Sequence, residues 1–348
     1  AGEHTLICAP TGSGKTLTAF LAAIDHLVAA PPPDDTKEAR AQRTRVLYIS
    51  PLRALAFDVE KNLRAPLVGI ELAAERLGVG LHAPTVAMRT GDTPANERQK
   101  LIRRPPDILI TTPESLYLML TSSAADTLRG VETVIVDEIH AMATTKRGAH
   151  LALTLERLVE VTDRPFQRIG LSATQRPLSE TARFLGGYGD DGQARPVQIV
   201  DAGSRKQIEV QVVVPVDDMA NPGVGLETGP DGGPRPGDNR NSIWPSIYPQ
   251  VLDLILAHRS TIVFCNGRRP TERIAAKLNE LYLERLAGEA APDGGTAVEM
   301  PTHDLVLAHH GSLAREQRVV IEDRLKQGDL RGIVATSSLE LGIDMGAV

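Results

Sequence analysis

The sequence predicts an α/β fold in which helices cover both faces of parallel sheets, organised as two domains. Short apolar runs alternate along the chain with longer segments of helical composition. These runs are almost continuously apolar, which is typical of strands buried on both faces. The length of 348 residues suits two domains of about 100–200 residues each.

The first half opens with an apolar run at 5–9, a Gly-rich turn and a helical segment at 17–30 without a breaker. Three prolines at 31–33 end that helix, and the polar residues up to 44 predict an exposed loop. Period and composition predict a long helix at 149–161 and further strands at 46–50, 85–88, 107–111, 133–136, 167–171 and 197–201.

Residues 217–241 are rich in Gly, Pro, Asp and Asn and predict a loop or linker that divides the chain. We therefore expect a first domain at 1–205, a linker at 206–242 and a second domain at 243–348. The alternation resumes after the linker, with helices predicted at 247–258, 270–286 and 315–326 and strands at 261–265, 305–309 and 332–336.

Composition excludes some classes of protein. No apolar run reaches the roughly 20 residues that cross a bilayer, and the N-terminus lacks a signal-peptide pattern. This favours a cytoplasmic protein without a membrane partner. Cys8 and Cys265 lie in different halves, which argues against a disulfide or a metal site. The net charge of −6 and the aromatic content of 3% argue weakly against nucleic-acid binding and against base stacking.

A candidate phosphate-binding loop, APTGSGKT, spans residues 9–16 between a predicted strand and a predicted helix. Gly12 and Gly14 let the backbone turn N–H groups toward a phosphate, and the helix N-terminus adds a favourable dipole. Lys15 would reach the β- and γ-phosphates, and the Thr16 hydroxyl would ligate Mg²⁺. The alternative is an ordinary Gly-rich turn.

An apolar strand at 133–136 runs into Asp137 and Glu138, followed by His140. Asp137 is placed to hold Mg²⁺, and Glu138 to orient the water that attacks the γ-phosphate. A solvated strand end is the alternative for this acid pair. For His140, the alternatives are a link from the nucleotide site to the second domain and a solvent-satisfied surface histidine.

Weaker elements follow other strands. Ser172 and Thr174 suit either a helix N-cap before Pro177 or a functional role. Arg53, Thr90 and Thr112 offer groups suited to phosphodiester contacts, with plain capping as the alternative.

In the second half, Arg268 and Arg269 follow a strand and could bind phosphate through their guanidinium groups. The pair His309 and His310 has no Cys or carboxylate after it at ligand spacing, which argues against a metal site. Near the end of the chain, the Thr336 hydroxyl could contact phosphate and Asp344 a ribose.

Taken in order, these blocks resemble superfamily 2 helicases of the DExH type, and more narrowly the large helicase-related (Lhr) family. The narrow resemblance rests on DEIHAMATTKRGAHLALTLERL at 137–158, GLSATQRPLSETARFLGG at 170–187, AHHGSL at 308–313 and ATSSLELGIDMG at 335–346. It extends from the first residue to the last.

The resemblance implies two tandem RecA-like P-loop NTPase domains, the second one truncated at its C-terminus, with ATP and Mg²⁺ as cofactors and a single strand as partner. It implies an ATP-dependent 3′-to-5′ translocase on single-stranded DNA that unwinds DNA or RNA:DNA duplexes and is linked to DNA repair.

The resemblance also assigns roles to single residues. Catalysis would use Lys15, Asp137, Glu138 and His140, with Mg²⁺ on Thr16 and Asp137. Nucleotide would contact Thr11, Gly12, Ser13, Gly14, Lys15, Thr16, Gly342 and Asp344. The strand would contact Arg53, Thr90, Thr112, Arg268 and Thr336, and coupling would use Ser172 and Thr174.

Two departures from the family pattern accompany these assignments. An adenine-selecting glutamine upstream of the phosphate loop and an arginine-finger block after Val348 are expected to be missing from this chain. We therefore expect a fragment of a motor, with further C-terminal domains in the full-length protein. Two alternatives remain open: a Ski2-like RNA helicase, and a fragment that binds nucleotide and nucleic acid without turnover.

Overall fold

Two α/β units make up the computed structural model of the chain, one spanning residues 1–205 and the other 206–348. The structure describes residues 2–10, 12–30, 34, 36–173, 176–202, 209–216, 242–289, 303–336 and 339. The predicted linker at 217–241 lies outside the described residues, as do the predicted site residues Thr11, Thr174, Gly342 and Asp344. The predicted α/β class is confirmed.

The first unit is built on a sheet of seven parallel strands among the residues described. They are β1 (His4–Cys8), β2 (Val46–Ile49), β3 (Val86–Arg89), β4 (Ile108–Thr111), β5 (Thr133–Val136), β6 (Gln167–Ser172) and β7 (Val197–Asp201). Their spatial order is β3-β4-β2-β5-β6-β1-β7. Because all pairs are parallel, every strand delivers its carboxyl end to the same edge.

Helices cover both faces of this sheet. They are α1 (Lys15–Ala29), α2 (Lys37–Ala41), α3 (Arg53–Leu77), α4 (Ala95–Arg103), α5 (Pro113–Leu120), a 3-10 helix (Ser123–Leu128), α6 (Ile139–Ala143), α7 (Lys146–Val161) and α8 (Leu178–Gly186). Side chains alternate across each strand, so Leu47 and Ile49 pack under α5, α7 and α8. Tyr48 points to the opposite face, under α1 and α3.

Two local features differ from the sequence prediction. The polar stretch before residue 44 contains α2, which the Thr36 hydroxyl caps by accepting from the Ala39 N–H at 3.1 Å, so the prediction of a loop was wrong there. Strand β7 is exposed along most of its length because it lies at the edge of the sheet and pairs with β1 alone. The expectation of strands buried on both faces therefore fails at this edge.

The second unit contains a parallel sheet of β8 (Thr261–Phe264), β10 (Gly332–Ala335) and β9 (Val306–His309), in that spatial order, among the residues described. Its helices are α9 (Trp244–Ala257), α10 (Arg268–Glu289) and α11 (Arg315–Gln327). Leu252, Ile255 and Leu278 form one core with Val334, while Leu325 and Ile333 belong to a core on the other face. Within the described part of the chain, no helix combines the length and apolarity needed to cross a bilayer.

Candidate functional site

The loop after β1 has the backbone that a phosphate cradle requires. Gly12 and Gly14 adopt positive φ angles of 78° and 83°, a conformation that glycine reaches without the steric cost of a Cβ. Open space surrounds the position of a Cβ on Gly14, so the backbone conformation, and not crowding, calls for glycine. Helix α1 begins at Lys15, directly after this turn, and its free N–H groups face the loop.

Lys15 folds back over the loop that precedes it. Its Nζ donates to the backbone oxygens of Ala9 at 2.7 Å and Pro10 at 2.8 Å. Burial lowers the pKa of Lys15, while the nearby charges of Glu138 and Asp137 raise it. The ammonium therefore sits within the electrostatic reach of the acid pair, held at the entrance of the cradle.

Asp137 ends β5 and is buried among polar groups. Its Oδ1 accepts the Glu138 N–H at 2.9 Å, and its Oδ2 accepts the Tyr48 hydroxyl. Burial raises the pKa of Asp137 to about 6, and the Tyr48 hydrogen bond acts in the opposite direction. Both carboxylate oxygens are therefore fixed in orientation, so the alternative of a solvated strand end is wrong for this residue.

Glu138 has φ 44° and ψ 40°, a left-handed conformation. Among the residues described, it is the only one other than glycine with a positive φ. Such strain costs about 1–3 kcal/mol and occurs mainly at functional sites. Burial raises the pKa of Glu138, with the Lys15 charge lowering it. A buried carboxylate with a raised pKa, held in a strained turn beside a phosphate cradle, suits the polarisation of a water molecule.

The predicted Mg²⁺ ligands lie on either side of one tyrosine. The Tyr48 hydroxyl donates to Asp137 and lies beside the Thr16 side chain. A hydroxyl and a carboxylate oxygen are ligands that Mg²⁺ prefers, and their shared neighbour brings them to the same place. This donor set fits the ion. Sequence reasoning missed Tyr48; the available signal was a tyrosine within an otherwise aliphatic strand.

His140 connects the acid pair to the end of β6. Its Nδ1 accepts the Ala173 N–H at 3.2 Å, and its side chain is 12% exposed, which contradicts the alternative of a solvent-satisfied surface histidine. Burial and the Lys15 charge lower the pKa of His140. The neutral ring then carries its proton on Nε2, and it joins the DEIH segment to the Ser172–Ala173 turn.

Ser172 closes β6 and is buried, with its hydroxyl donating to the Ala173 oxygen at 2.8 Å. Helix α8 has Pro177 at its N-cap and no side-chain cap. The alternative that Ser172 caps a helix is therefore wrong, while the coupling role predicted for it stays a prediction.

The carboxyl edges of β3, β4 and β2 bring the three predicted strand contacts of this unit onto one rim. Arg53 starts α3 and donates from Nη1 to Asp92 Oδ1 at 2.6 Å, with both side chains exposed. Thr90 and Thr112 are 5% and 4% exposed, and the Thr112 hydroxyl donates to Ser115 Oγ at 3.1 Å. Arg53 is thus the accessible charged group of these three.

A second arginine on this rim was not predicted. Arg147, in the first turn of α7, donates from Nε to Glu114 Oε1 at 2.7 Å and from Nη2 to the Pro51 oxygen at 3.0 Å. It therefore ties the loop after β2 and the start of α5 to α7.

The second unit carries the remaining predicted strand contacts. Arg268 is the first residue of α10, and its Nη1 donates to Ser312 Oγ at 2.8 Å. Thr336 follows β10, and its N–H donates to the His309 oxygen at 3.1 Å. Arg268 and Thr336 therefore follow two neighbouring strands at one end of this sheet, β8 and β10.

The adjacent histidines of this unit each contact a carboxylate. His309 Nε2 lies 3.0 Å from Glu322 Oε1, and His310 Nε2 lies 2.9 Å from Glu272 Oε1. Sequence spacing missed these partners because α11 and α10 supply them. No cluster of three or more metal-ligating side chains occurs among the residues that the structure describes.

The chain is similar to known helicases over its full length. The DEAD/DEAH box helicase family matches residues 1–181. The "Lhr helicase/ probable uracil glycosylase" of Mycolicibacterium smegmatis is 53% identical over 100% of this chain and 22% of that protein. The "ATP-dependent helicase Lhr-Core" of Methanocaldococcus jannaschii is 41% identical over 100% of this chain and 36% of that protein. The chain thus spans between about a fifth and a third of the length of these relatives.

Solved structures agree with the sequence relatives. The structure of Mycobacterium smegmatis helicase Lhr bound to ssDNA and AMP-PNP matches with a TM-score of 0.76 and 54% identity, over 100% of this chain and 39% of that one. The DEAD-box helicase Mss116 bound to ssRNA and UDP-BeF has a TM-score of 0.64 at 16% identity, over 100% of this chain and 60% of that one, and supports the fold alone. The predicted resemblance is confirmed, and the chain belongs to the DEAD/DEAH box helicase family, with Lhr helicases as its relatives.

Proposed function

We propose that this chain is the motor part of an ATP-dependent helicase that translocates 3′-to-5′ on single-stranded DNA and unwinds DNA or RNA:DNA duplexes, with a role in DNA repair. The observation that carries the proposal is the meeting of three elements at one sheet edge: the glycine cradle after β1, the acid pair after β5, and the rim that bears Arg53. Similarity to the Lhr helicase that was solved with ssDNA and AMP-PNP supports the choice of ligands.

In this proposal the first unit holds ATP through its phosphates. The backbone of Gly12, Ser13 and Gly14 donates to the phosphate oxygens, and Lys15 leaves the Ala9 and Pro10 carbonyls to contact the β- and γ-phosphates. Thr16 and Asp137 hold Mg²⁺, which supplies positive charge against the phosphates when it is bound. Glu138 orients the attacking water, and its raised pKa suits it to accept a proton.

Coupling between hydrolysis and strand binding would run through side chains that the structure places in contact. His140 Nδ1 lies 3.4 Å from Glu138 Oε2 and accepts the Ala173 N–H beside Ser172, so a change at Glu138 would reach the end of β6 through one ring. Arg147 reaches the strand rim from the start of α7. Arg53, Thr90 and Thr112 in the first unit and Arg268 and Thr336 in the second would contact the phosphodiester backbone without reading its sequence.

Hydrolysis of ATP, measured with and without single-stranded DNA, tests the proposal. We expect DNA to stimulate hydrolysis and Glu138→Gln to abolish it while nucleotide binding persists. Nucleotide binding by the unaltered chain with negligible hydrolysis would favour a binding module for this stretch of sequence. Absence of both nucleotide binding and DNA binding would overturn the proposal.

Polarity and strand type need separate substrates. Unwinding of duplexes with a 3′ tail and not of duplexes with a 5′ tail would support 3′-to-5′ movement. Comparing stimulation by matched DNA and RNA strands separates the DNA helicase from a Ski2-like RNA helicase, because only RNA offers a 2′-hydroxyl. A strict requirement for RNA would contradict the choice of DNA.

A further inference from the structure

Tyr48 is the polar side chain of β2 and stands on the face of the sheet that α1 covers. It is 0% exposed, and its ring stacks on Phe20 of α1 with centroids 5.1 Å apart. Its registered neighbours are Ile110 in β4 and Ile135 in β5. A phenylalanine would fill this place equally well, so packing does not explain the hydroxyl.

The hydroxyl joins β2 to a predicted ligand of Mg²⁺. It donates its single proton to Asp137 Oδ2, at the end of β5. The Thr16 side chain, in the first turn of α1, lies beside the same hydroxyl. Two predicted ligands of Mg²⁺ therefore neighbour Tyr48, and one of them is hydrogen-bonded to it.

The Asp137 carboxylate is held between the Tyr48 hydroxyl and the Glu138 N–H. Each of its oxygens accepts one hydrogen bond and keeps a further lone pair, so a cation or its water would meet a carboxylate that is already oriented. Groups that orient metal ligands in this way tune metal affinity.

We propose that Tyr48 is a positioning residue for the Mg²⁺–ATP site: its hydroxyl fixes the rotamer of Asp137. The inference rests on the proposed function, because it presumes that Thr16 and Asp137 hold Mg²⁺. It assigns to β2, the strand that also leads into the Arg53 rim, a direct part in the nucleotide site.

The test compares the full 348-residue chain with its Tyr48→Phe variant, which keeps the ring and removes only the hydroxyl. Binding of a non-hydrolysable ATP analogue is measured calorimetrically over a series of Mg²⁺ concentrations. We expect the Mg²⁺ concentration for half-maximal binding to rise about 10-fold in the variant. Binding of ADP in EDTA reports the metal-free cradle, and we expect it to stay unchanged.

Tyr248→Phe is the matched control, since Tyr248 is also a buried tyrosine stacked on an aromatic ring, Trp244, in the second unit. We expect this variant to keep the Mg²⁺ dependence of the unaltered chain. Equal Mg²⁺ dependence in the Tyr48→Phe variant would overturn the inference alone. A loss of ADP binding in EDTA as large as the loss of Mg²⁺-dependent binding would give the hydroxyl a structural role and would also overturn the inference. A Tyr48→Phe chain that fails to fold would do the same. Failure of the unaltered chain to bind the analogue would instead contradict the proposed function.

Discussion

At the scale of single residues, Lys15 orders the loop that precedes it. Its ammonium donates to the Ala9 and Pro10 carbonyls, two bonds that phosphate oxygens would replace. Since the side chain is already ordered and largely buried, little conformational entropy remains to be lost when nucleotide binds. The loop is therefore pre-organised by Lys15, the residue that would bind the phosphates.

Lys15→Ala is expected to weaken ATP binding roughly 10–100-fold, because a hydrogen bond to a charged group contributes about 1.5–3 kcal/mol. Calorimetric titration with a non-hydrolysable analogue measures this loss. Lys61→Ala is the control, since Lys61 is exposed on α3. Unchanged affinity in the Lys15 variant would exclude the loop as the phosphate site.

Sequence reasoning found Lys15, Asp137 and Glu138 because each belongs to a short local pattern. It missed Tyr48, whose hydrogen-bond partner Asp137 lies 89 residues after it. A contact of this kind depends on the order of the strands, which the sequence does not display. Thr90 and Thr112 illustrate the converse, because their type predicted contacts but not their burial.

At the scale of elements, a partly buried ion cluster links β6 to its surroundings. Arg168 in β6 is 2% exposed and donates to Glu156 of α7 and to the Leu185 and Gly186 oxygens of α8, at 3.0 to 3.2 Å. Arg195, before β7, donates to both Glu156 oxygens at 2.9 Å. One carboxylate thus joins α7, β6 and the segment leading to β7.

Glu156→Gln is expected to lower the free energy of unfolding by about 1–3 kcal/mol, since it leaves the Arg168 charge buried with weaker partners. Urea denaturation measures the change. Glu180→Gln is the matched control, because its pair with Arg183 is exposed, and it should change stability by less than about 0.5 kcal/mol. Equal effects of the two substitutions would contradict the role given to this cluster.

His4, at the start of β1, makes stability depend on pH. Burial and the charges of Arg168 and Arg195 lower its pKa, and its Nδ1 accepts the Arg168 N–H at 3.1 Å. The unfolded chain therefore takes up the proton first as the pH falls below about 6.5. Because the unfolded state then binds more protons at His4, the contribution of His4 to stability falls with pH in that window, while Asp137, whose pKa burial raises to about 6, contributes in the opposite direction.

Thermal unfolding between pH 7.5 and pH 5.5 checks this expectation. His4→Asn removes the His4 contribution, so the change in stability from pH 7.5 to pH 5.5 should be less unfavourable in this variant than in the unaltered chain, while the contributions of His140 and Asp137 remain in both. His26→Asn, at an exposed position of α1, should retain the original slope. A steeper slope in the His4 variant would contradict the assignment.

The positions of the strands and helices were the most predictable feature of this molecule. Most predicted strands agree with the structure to within a residue or two because apolar runs and breakers are local signals. The structure departs from prediction at α2, where a Thr36 cap outweighs polar composition, and at β7, where edge position decides exposure. Arg168 carried a signal that was not used, as a charge inside an apolar strand.

At the scale of the whole molecule, charge distribution matters more than net charge. The chain carries −6 overall, yet Arg53 presents an accessible guanidinium on the rim beside the nucleotide site. It is paired with Asp92, so strand binding has to exchange a carboxylate for a phosphate. Affinity for single strands should therefore be moderate and strongly dependent on salt.

Arg53→Gln is expected to reduce the slope of log affinity against log salt by about 0.7, the contribution of one phosphate contact on a single strand. Fluorescence anisotropy with a labelled oligonucleotide at several salt concentrations measures the slope. Arg64→Gln is the control, since Arg64 lies on the same helix and is likewise paired with a carboxylate, that of Glu60. If both variants have the same slope of log affinity against log salt as the unaltered chain, Arg53 does not contact the strand.

The central claim is that nucleotide binding and single-strand binding are coupled in this chain. The most direct test is the affinity of the 348-residue chain for single-stranded DNA, measured with and without a non-hydrolysable ATP analogue and Mg²⁺. Coupled sites differ in affinity by roughly 5–150-fold between ligand states. We predict a change in that range, lost in Lys15→Ala and retained in Lys61→Ala. Affinity for DNA that is the same in the presence and absence of nucleotide would contradict an ATP-driven motor.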